Sequence, residues 1–251
     1  MNRSLAISIV FICVFFSVNA QVQIPNSPNS TTKVTKDCES GDCQNGWGYK
    51  NFSYGYYEGF WRNGQRHGYG LFDWSDSGKY IGFWINDKMT GYGTYLGDTM
   101  DMVGEFEDGF IQGLGYIVED DEWEQGVYNL SQLEDSYSFY DNGVTTGCTA
   151  GDCENKYGRW KWSNGDSYTG FFKNGNMYMG TYLYDNGDKY TGTFNSNNQF
   201  HGEGRFFFKN GEYYGGKWKN GNYHGKGYFH DKEYIQKIGE WSNGTLVKKM
   251  N

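Results

Sequence analysis

One pattern recurs about every 22 to 24 residues along most of the chain and limits the fold more than any other feature. It consists of Tyr-x-Gly-x-Trp or Phe, an Asn-Gly pair, and then His-Gly-x-Gly. It starts at positions 57, 80, 102, 168, 190, 214 and 237, and less regular sequence fills the stretch between 102 and 168. The most complete copies contain Tyr57, Gly59, Trp61, Gly64, His67, Gly68 and Gly70, and Tyr214, Gly216, Trp218, Gly221, His224, Gly225 and Gly227. Partial copies include Tyr80, Gly82 and Trp84, and Tyr190, Gly192 and Phe194.

Each copy predicts a β-hairpin that leaves room for large rings. Residues two apart share one face of a strand, so Tyr57, Gly59 and Trp61 line up, and the bare glycine leaves a slot for an aromatic ring. Asn-Gly occurs nine times. It is the pair best suited to a two-residue hairpin turn, in which both residues need a positive φ. A single hairpin cannot bury its own face, so successive hairpins are expected to pair edge to edge.

The composition supports the same fold class. The 251 residues include 38 glycines, only 2 prolines and 20% aromatic residues. The shortage of aliphatic residues excludes a helical bundle and a parallel sheet of Val- and Ile-rich strands. The sequence therefore predicts an all-β protein, an elongated, twisted, single-layer antiparallel sheet of stacked β-hairpin repeats.

These residues resemble the MORN (membrane occupation and recognition nexus) repeat over roughly residues 46–244. The resemblance is closest in the copies that start at 57 and 214 and weakest between 116 and 147. Choline-binding aromatic repeats have a similar content of glycine and aromatic residues, but the His-Gly-x-Gly segments at His67 and His224 favour the MORN family. The resemblance implies a structural, membrane-associated or dimerising module.

Two cysteine pairs indicate a larger duplication. Cys38 and Cys43 open a module at 38–147, and Cys148 and Cys153 open a second module at 148–251. The glycine inside each Cys-x₄-Cys loop lets the chain turn back far enough for a local disulfide. We therefore expect two disulfides, Cys38–Cys43 and Cys148–Cys153, and a Cys₄ zinc site is the alternative.

The amino terminus has the features of a secretory signal. Arg3 precedes an apolar run from Leu5 to Phe16, and Ala20 provides a small residue at a cleavage site. We expect a signal peptide at 1–20 and a flexible linker at 21–37. The expected location is secreted or in the cell envelope or periplasm, with peripheral membrane association as an option.

The sequence predicts no catalytic, cofactor-binding or metal-binding residues. Its Gly-x-Gly pairs do not complete a dinucleotide loop. Glu105 and Glu107 share a strand face, as a pair of glycosidase carboxylates would, but a solvated acidic face is the simpler interpretation. The net charge of −8 disfavours binding to nucleic acid.

Two function classes remain. The first is a non-enzymatic scaffold that binds an unknown protein partner. That partner can be a second copy of the chain, which would give a homodimer. The alternative is peripheral binding to a membrane or lipid surface through basic residues of the last repeats. The lysines expected to face lipid are Lys217, Lys219, Lys226, Lys232 and Lys237.

Overall fold

The computed structural model describes residues 38–120, 122–231 and 236–250, and every regular element in these ranges is a β-strand. The signal peptide and linker expected at 1–37 lie outside the described residues. The strands form two antiparallel sheets of ten, and each strand pairs with its neighbours in the sequence. The first sheet contains β1 (Ser40–Gly41), β2 (Trp47–Phe52), β3 (Gly55–Arg62), β4 (Gln65–Trp74), β5 (Gly78–Ile85), β6 (Lys88–Leu96), β7 (Met100–Glu107), β8 (Phe110–Glu119), β9 (Glu122–Asn129) and β10 (Gln132–Ser136). The second contains β11 (Gly147–Gly151), β12 (Tyr157–Lys161), β13 (Ser167–Lys173), β14 (Asn176–Leu183), β15 (Lys189–Phe194), β16 (Phe200–Phe207), β17 (Tyr213–Lys219), β18 (Asn222–His230), β19 (Gln236–Ser242) and β20 (Thr245–Lys249).

The repeat tyrosine packs flat over two paired strands, on what we call the ladder face of each sheet. Gly59 of β3 is opposite Gly70 of β4, and a methyl group on either glycine would overlap the Tyr57 ring. The Tyr57 hydroxyl donates a hydrogen bond to the Phe60 carbonyl oxygen at 3.1 Å. The same arrangement of ring, paired glycines and carbonyl recurs at Tyr80, Tyr168, Tyr190 and Tyr214.

Each tyrosine also contacts aromatic rings of its own repeat and of the next one. The Tyr57 ring meets Trp61 edge-on at 5.1 Å between centroids and Trp84 at 5.5 Å. The Trp61 indole N–H donates to the Gly48 carbonyl oxygen of the preceding strand at 3.0 Å. Because each repeat is completed by its neighbours, the hairpins are stable as an array.

The two glycines of Gly-x-Gly have different roles. Gly68 has a φ of +87° and Gly225 a φ of +61°, and in both copies the strand pairing shifts register beside them. These are β-bulges, where a positive φ favours glycine. The second glycine, as at Gly70, instead leaves room for the tyrosine ring.

Seven of the nine Asn-Gly pairs connect neighbouring strands in turns of two kinds, which the sequence did not distinguish. Of the other two, neither residue has a positive φ at 45–46, and only the glycine does at 142–143. Both residues have positive φ at 63–64, 174–175, 220–221 and 243–244, as expected. At 164–165, 186–187 and 210–211 only the glycine does. The last three belong to longer loops: the Trp162 amide donates to the Asp166 carbonyl across three intervening residues. In such a loop only the last residue requires the left-handed region.

The stacked hairpins are confirmed, but they form two sheets that pack against each other, where one continuous layer was expected. The residues that alternate with those of the ladder face are also large and apolar. They form the opposite face of each sheet, which we call the contact face. Trp47 of the first sheet stacks on Tyr228 of the second at 4.6 Å between centroids. A second cluster joins Tyr92 to Phe171. A single layer would leave these rings in water, so burial favours two layers.

Polar contacts also cross between the sheets. The Tyr92 amide donates to Glu203 Oε2 at 2.9 Å, and the Tyr92 hydroxyl lies 2.7 Å from Thr191 Oγ1. The sheets also approach closely at Gly215, where a methyl group would overlap the Tyr69 ring.

We expect Gly215→Ala to destabilise the protein by about 1–3 kcal/mol, because the added methyl group would force the sheets apart. In a Tyr69→Leu background the same substitution should cost clearly less, since the ring it meets is gone. Urea unfolding of the parent, the two single variants and the double variant measures this coupling. Additive effects would show that the two residues do not touch.

Candidate interaction surfaces

A disulfide lies on the ladder face at the start of each sheet. The Sγ atoms of Cys38 and Cys43 are 2.01 Å apart, and those of Cys148 and Cys153 are 2.04 Å apart, so both expected pairs lie at disulfide distance. Cys43 belongs to the same buried cluster as Tyr57 and Trp61. A methyl group on Gly48 would lie 2.6 Å from Cys43 Sγ. The cystine therefore covers a strand glycine as the tyrosines do further along.

The repeat histidines occupy structural positions beside the bulges. His201 Nδ1 accepts a hydrogen bond from the Asn220 amide of the next turn at 3.4 Å. His67 is half-buried beside the bulge at Gly68. Within the described ranges, no group of three or more His, Cys, Asp and Glu side chains is arranged to hold a metal ion.

Glu105 makes structural contacts, and Glu107 is exposed. Glu105 Oε2 accepts the Leu114 amide at 3.0 Å, and its Oε1 accepts the Tyr178 hydroxyl of the second sheet at 3.1 Å. The carboxylate thus links a bulge of the first sheet to the second sheet.

The expected lipid-facing lysines are divided between two faces. Lys217 and Lys226 lie over the rings of Phe83 and Phe60, between the sheets, at 4.8 and 5.4 Å. Lys219 shares their side of the second sheet by strand alternation. In contrast, Lys237 lies over Phe229 on the ladder face. The remaining lysine, Lys232, is outside the described residues.

The ladder face of the first sheet is closed by its own side chains. Phe72 is fully buried, and Tyr54 stacks on it with an angle of 10° between the rings. The Arg66 guanidinium lies 4.4 Å from the centroid of Trp84, with the side chain 3% exposed. Arg66 Nε donates to Asp87 Oδ1 at 2.9 Å. This pairing explains why an aspartate replaces the usual turn glycine at 87.

The ladder face of the second sheet is open. Its rings line a groove of about 670 Å³, which we call the aromatic groove. The groove is lined by Trp160, Trp162, Phe172, Met177, Tyr182, Tyr184 and Phe200, with Asn198 and Gln199 among its polar residues. The difference begins at one position. Tyr54, which covers Phe72 in the first sheet, corresponds to Asn164 in the second at the offset of the cysteine loops.

A hydrogen-bonded acid fixes one ring of the groove. The Tyr182 hydroxyl donates to Asp166 Oδ2 at 2.8 Å. Burial, with the hydrogen bond and charge of Asp166, raises the pKa of Tyr182. The backbone N–H of Asp185 donates to the other Asp166 oxygen at 2.9 Å and lowers the pKa of that carboxyl. At neutral pH the pair is a neutral phenol and a carboxylate.

Sequence reasoning did not identify the aromatic groove. The rings at its edges lie outside the regular positions of the repeat or, as at Tyr182, belong to a copy whose second half is irregular. The one available signal was the exchange of Tyr54 for Asn164 between otherwise similar modules. Its effect depends on packing across several strands.

No helix in the described part of the chain is long and apolar enough to cross a bilayer.

The MORN repeat family model matches residues 57–79, 80–99, 103–117, 190–213 and 214–232. No curated protein matches the chain. The pairing of consecutive strands and the packing of tyrosine rings over paired glycines define an all-β hairpin-repeat protein. The five matched segments identify it as a member of the MORN repeat family, which is a family of non-enzymatic repeats that act as protein- or membrane-interaction modules. The copy at Tyr168 has the same ring-over-glycine geometry although it lies outside the matched segments.

We expect no free thiol in denatured, unreduced protein that lacks residues 1–20, which include Cys13. Reduction should then expose four thiols, one from each cysteine of the two pairs. A thiol-reactive chromophore measures both numbers. Four reactive thiols before reduction would contradict the disulfides and return the zinc alternative.

Proposed function

We propose that this protein is an exported, non-enzymatic scaffold that holds a protein partner in the aromatic groove. The observation that carries the proposal is the contrast between the two ladder faces. Equivalent rings are fully covered in the first sheet and half-exposed in the second, as at Phe72 and Tyr182. Half-exposed tryptophan and tyrosine rings around a concave surface are typical of the centre of a protein interface.

The edges of the groove also suit a polypeptide. The Asn198 amide already bonds the Met177 N–H and Asn176, and the Gln199 oxygen accepts from Asn195, but an amide has a second donor hydrogen and a second acceptor lone pair that a peptide can use. The Asp166 carboxylate lies beside Tyr182. A peptide that inserts apolar side chains between the rings would have polar partners for its backbone at the edges. This arrangement favours a protein partner over a flat lipid surface, for which the divided lysines are poorly placed.

Export is supported by the cysteines. Disulfides persist in oxidising compartments and are rare in the cytosol, so two cysteine pairs at disulfide distance favour an extracytoplasmic location.

Selection of peptides on the purified protein tests the groove directly, because a display library samples many candidate sequences at once. Peptides recovered from the library should be rich in apolar residues. Their affinity should fall at least tenfold on Trp160→Ala and Tyr184→Ala, which corresponds to about 1.4 kcal/mol. Tyr140→Ala is the matched control, because Tyr140 is an exposed ring (63%) that does not line the groove.

Peptides that bind the Trp160→Ala and Tyr184→Ala variants as tightly as the parent would contradict the proposal. So would salt-sensitive pelleting with acidic liposomes that Lys217→Glu, Lys219→Glu and Lys237→Glu abolish, since that result supports lipid binding instead.

A further inference from the structure

A second cavity, of about 340 Å³, opens between the two sheets, and we call it the basic cleft. Gly68 and Tyr69, from the bulge of the first repeat, form part of its wall. It is lined by four basic side chains, two from each sheet: Arg62 and His67, and Lys217 and Lys226. Both sheets are therefore needed to form it.

Three other bulges place an oxygen acceptor on the amide that follows the bulge glycine. In the copy that starts at 190 the acceptor is the Thr193 hydroxyl, 3.0 Å from the Glu203 amide, and in two copies of the first sheet it is a carboxylate. In the copy that starts at 102, the amide after the bulge glycine belongs to Leu114 and donates to the carboxylate of Glu105 at 3.0 Å. In the copy that starts at 80, the equivalent amide of Tyr92 donates to Glu203 at 2.9 Å. Glu203 comes from the second sheet, so a carboxylate delivered from outside the first sheet already occupies this type of position.

In the first copy the equivalent amide belongs to Tyr69. The residue opposite, Phe60, stands where Glu105 stands in the copy that starts at 102, and its side chain carries no acceptor. Tyr69 lines the basic cleft, so the cavity and its basic side chains occupy the place that Glu203 fills beside the next bulge.

The charges in the cleft are only partly balanced. Lys217 Nζ is 2.5 Å from Glu203 Oε1, and this carboxylate also binds the Tyr92 amide. Burial, and then the positive charges of Arg62, Lys226 and Lys217, lower the pKa of His67. Burial and the charge of Arg62 also lower the pKa of Lys226, against the opposing effect of Glu240. An anion in the cleft would relieve this repulsion.

We propose that the basic cleft binds a carboxylate-bearing ligand, held by Arg62, His67, Lys226 and the backbone amide of Tyr69. Cavities of roughly 300 Å³ and more hold small ligands, so either a compact organic polyacid or an acidic peptide segment can supply the carboxylates. This site is separate from the aromatic groove and does not depend on the proposed function.

The test uses two soluble probes, citrate and a tetraglutamate peptide, at constant ionic strength. The His67 ring resonances of the unsubstituted protein should shift saturably with either probe or with both. Arg62→Gln and Lys226→Met should each raise the dissociation constant of the probe at least tenfold. Methionine removes the ammonium that lies over the Phe60 ring but keeps an apolar side chain of similar length beside it. Lys219→Met is the matched control and should bind as the parent does, because Lys219 lies on the next exposed position of the same strand as Lys217 but does not line the cleft.

Tighter binding of citrate would identify a small polyacid as the ligand class, and tighter binding of tetraglutamate an acidic peptide. The proposal is overturned by the absence of a saturable His67 shift with both probes in the unsubstituted protein. It is equally overturned if Lys226→Met and Lys219→Met bind the probes alike.

Discussion

The contact on which each repeat depends is a tyrosine ring lying across two glycines of paired strands. The ring occupies the space above both backbones, so glycine is required at the same register in each strand, as at Gly59 and Gly70. In other copies the space above the glycine is also filled, but by a group other than tyrosine. Ile111 covers Gly115 in the copy that starts at 102, and the cystine at Cys43 covers Gly48 where the first sheet begins.

The second organising feature is the contact face. Rings such as Trp47 and Phe83 point away from the ladder, and they are buried because the two sheets lie against each other. Strand β2, near the start of the first sheet, meets β18, near the end of the second, as the Trp47–Tyr228 stack shows. This packing creates the basic cleft, and it places the aromatic groove on the outer side of the second sheet. The two surfaces thus face different directions and can act independently.

Much of the fold could be predicted because its signals are local. Tyr57 and Gly59 lie two residues apart, and the disulfides close loops of a few residues, so spacing alone indicated both. The second layer could not be predicted in the same way. It depends on Phe60 and Tyr69, which are aromatic at positions that the repeat pattern leaves unspecified, and on where residues more than a hundred positions away are placed.

The surfaces were harder still to predict. The basic cleft combines Arg62 with Lys226, whose proximity follows only from the packing of the two sheets. The lysines expected on one lipid-facing patch were grouped by sequence, whereas alternation along the strands places Lys226 and Lys237 on opposite faces. The aromatic groove arises from the absence of one covering ring at Asn164, and a missing contact leaves little trace in a sequence.

The chemical shifts of the glycine α-protons test the central claim most directly. A proton held against the face of an aromatic ring is displaced upfield by the ring current. We predict strong upfield displacement for Gly70, Gly93, Gly204 and Gly227, which lie beneath tyrosine rings. Gly115, covered by the aliphatic Ile111, should resonate near its ordinary position and serves as the internal control. Ordinary shifts at all of these glycines would contradict the account.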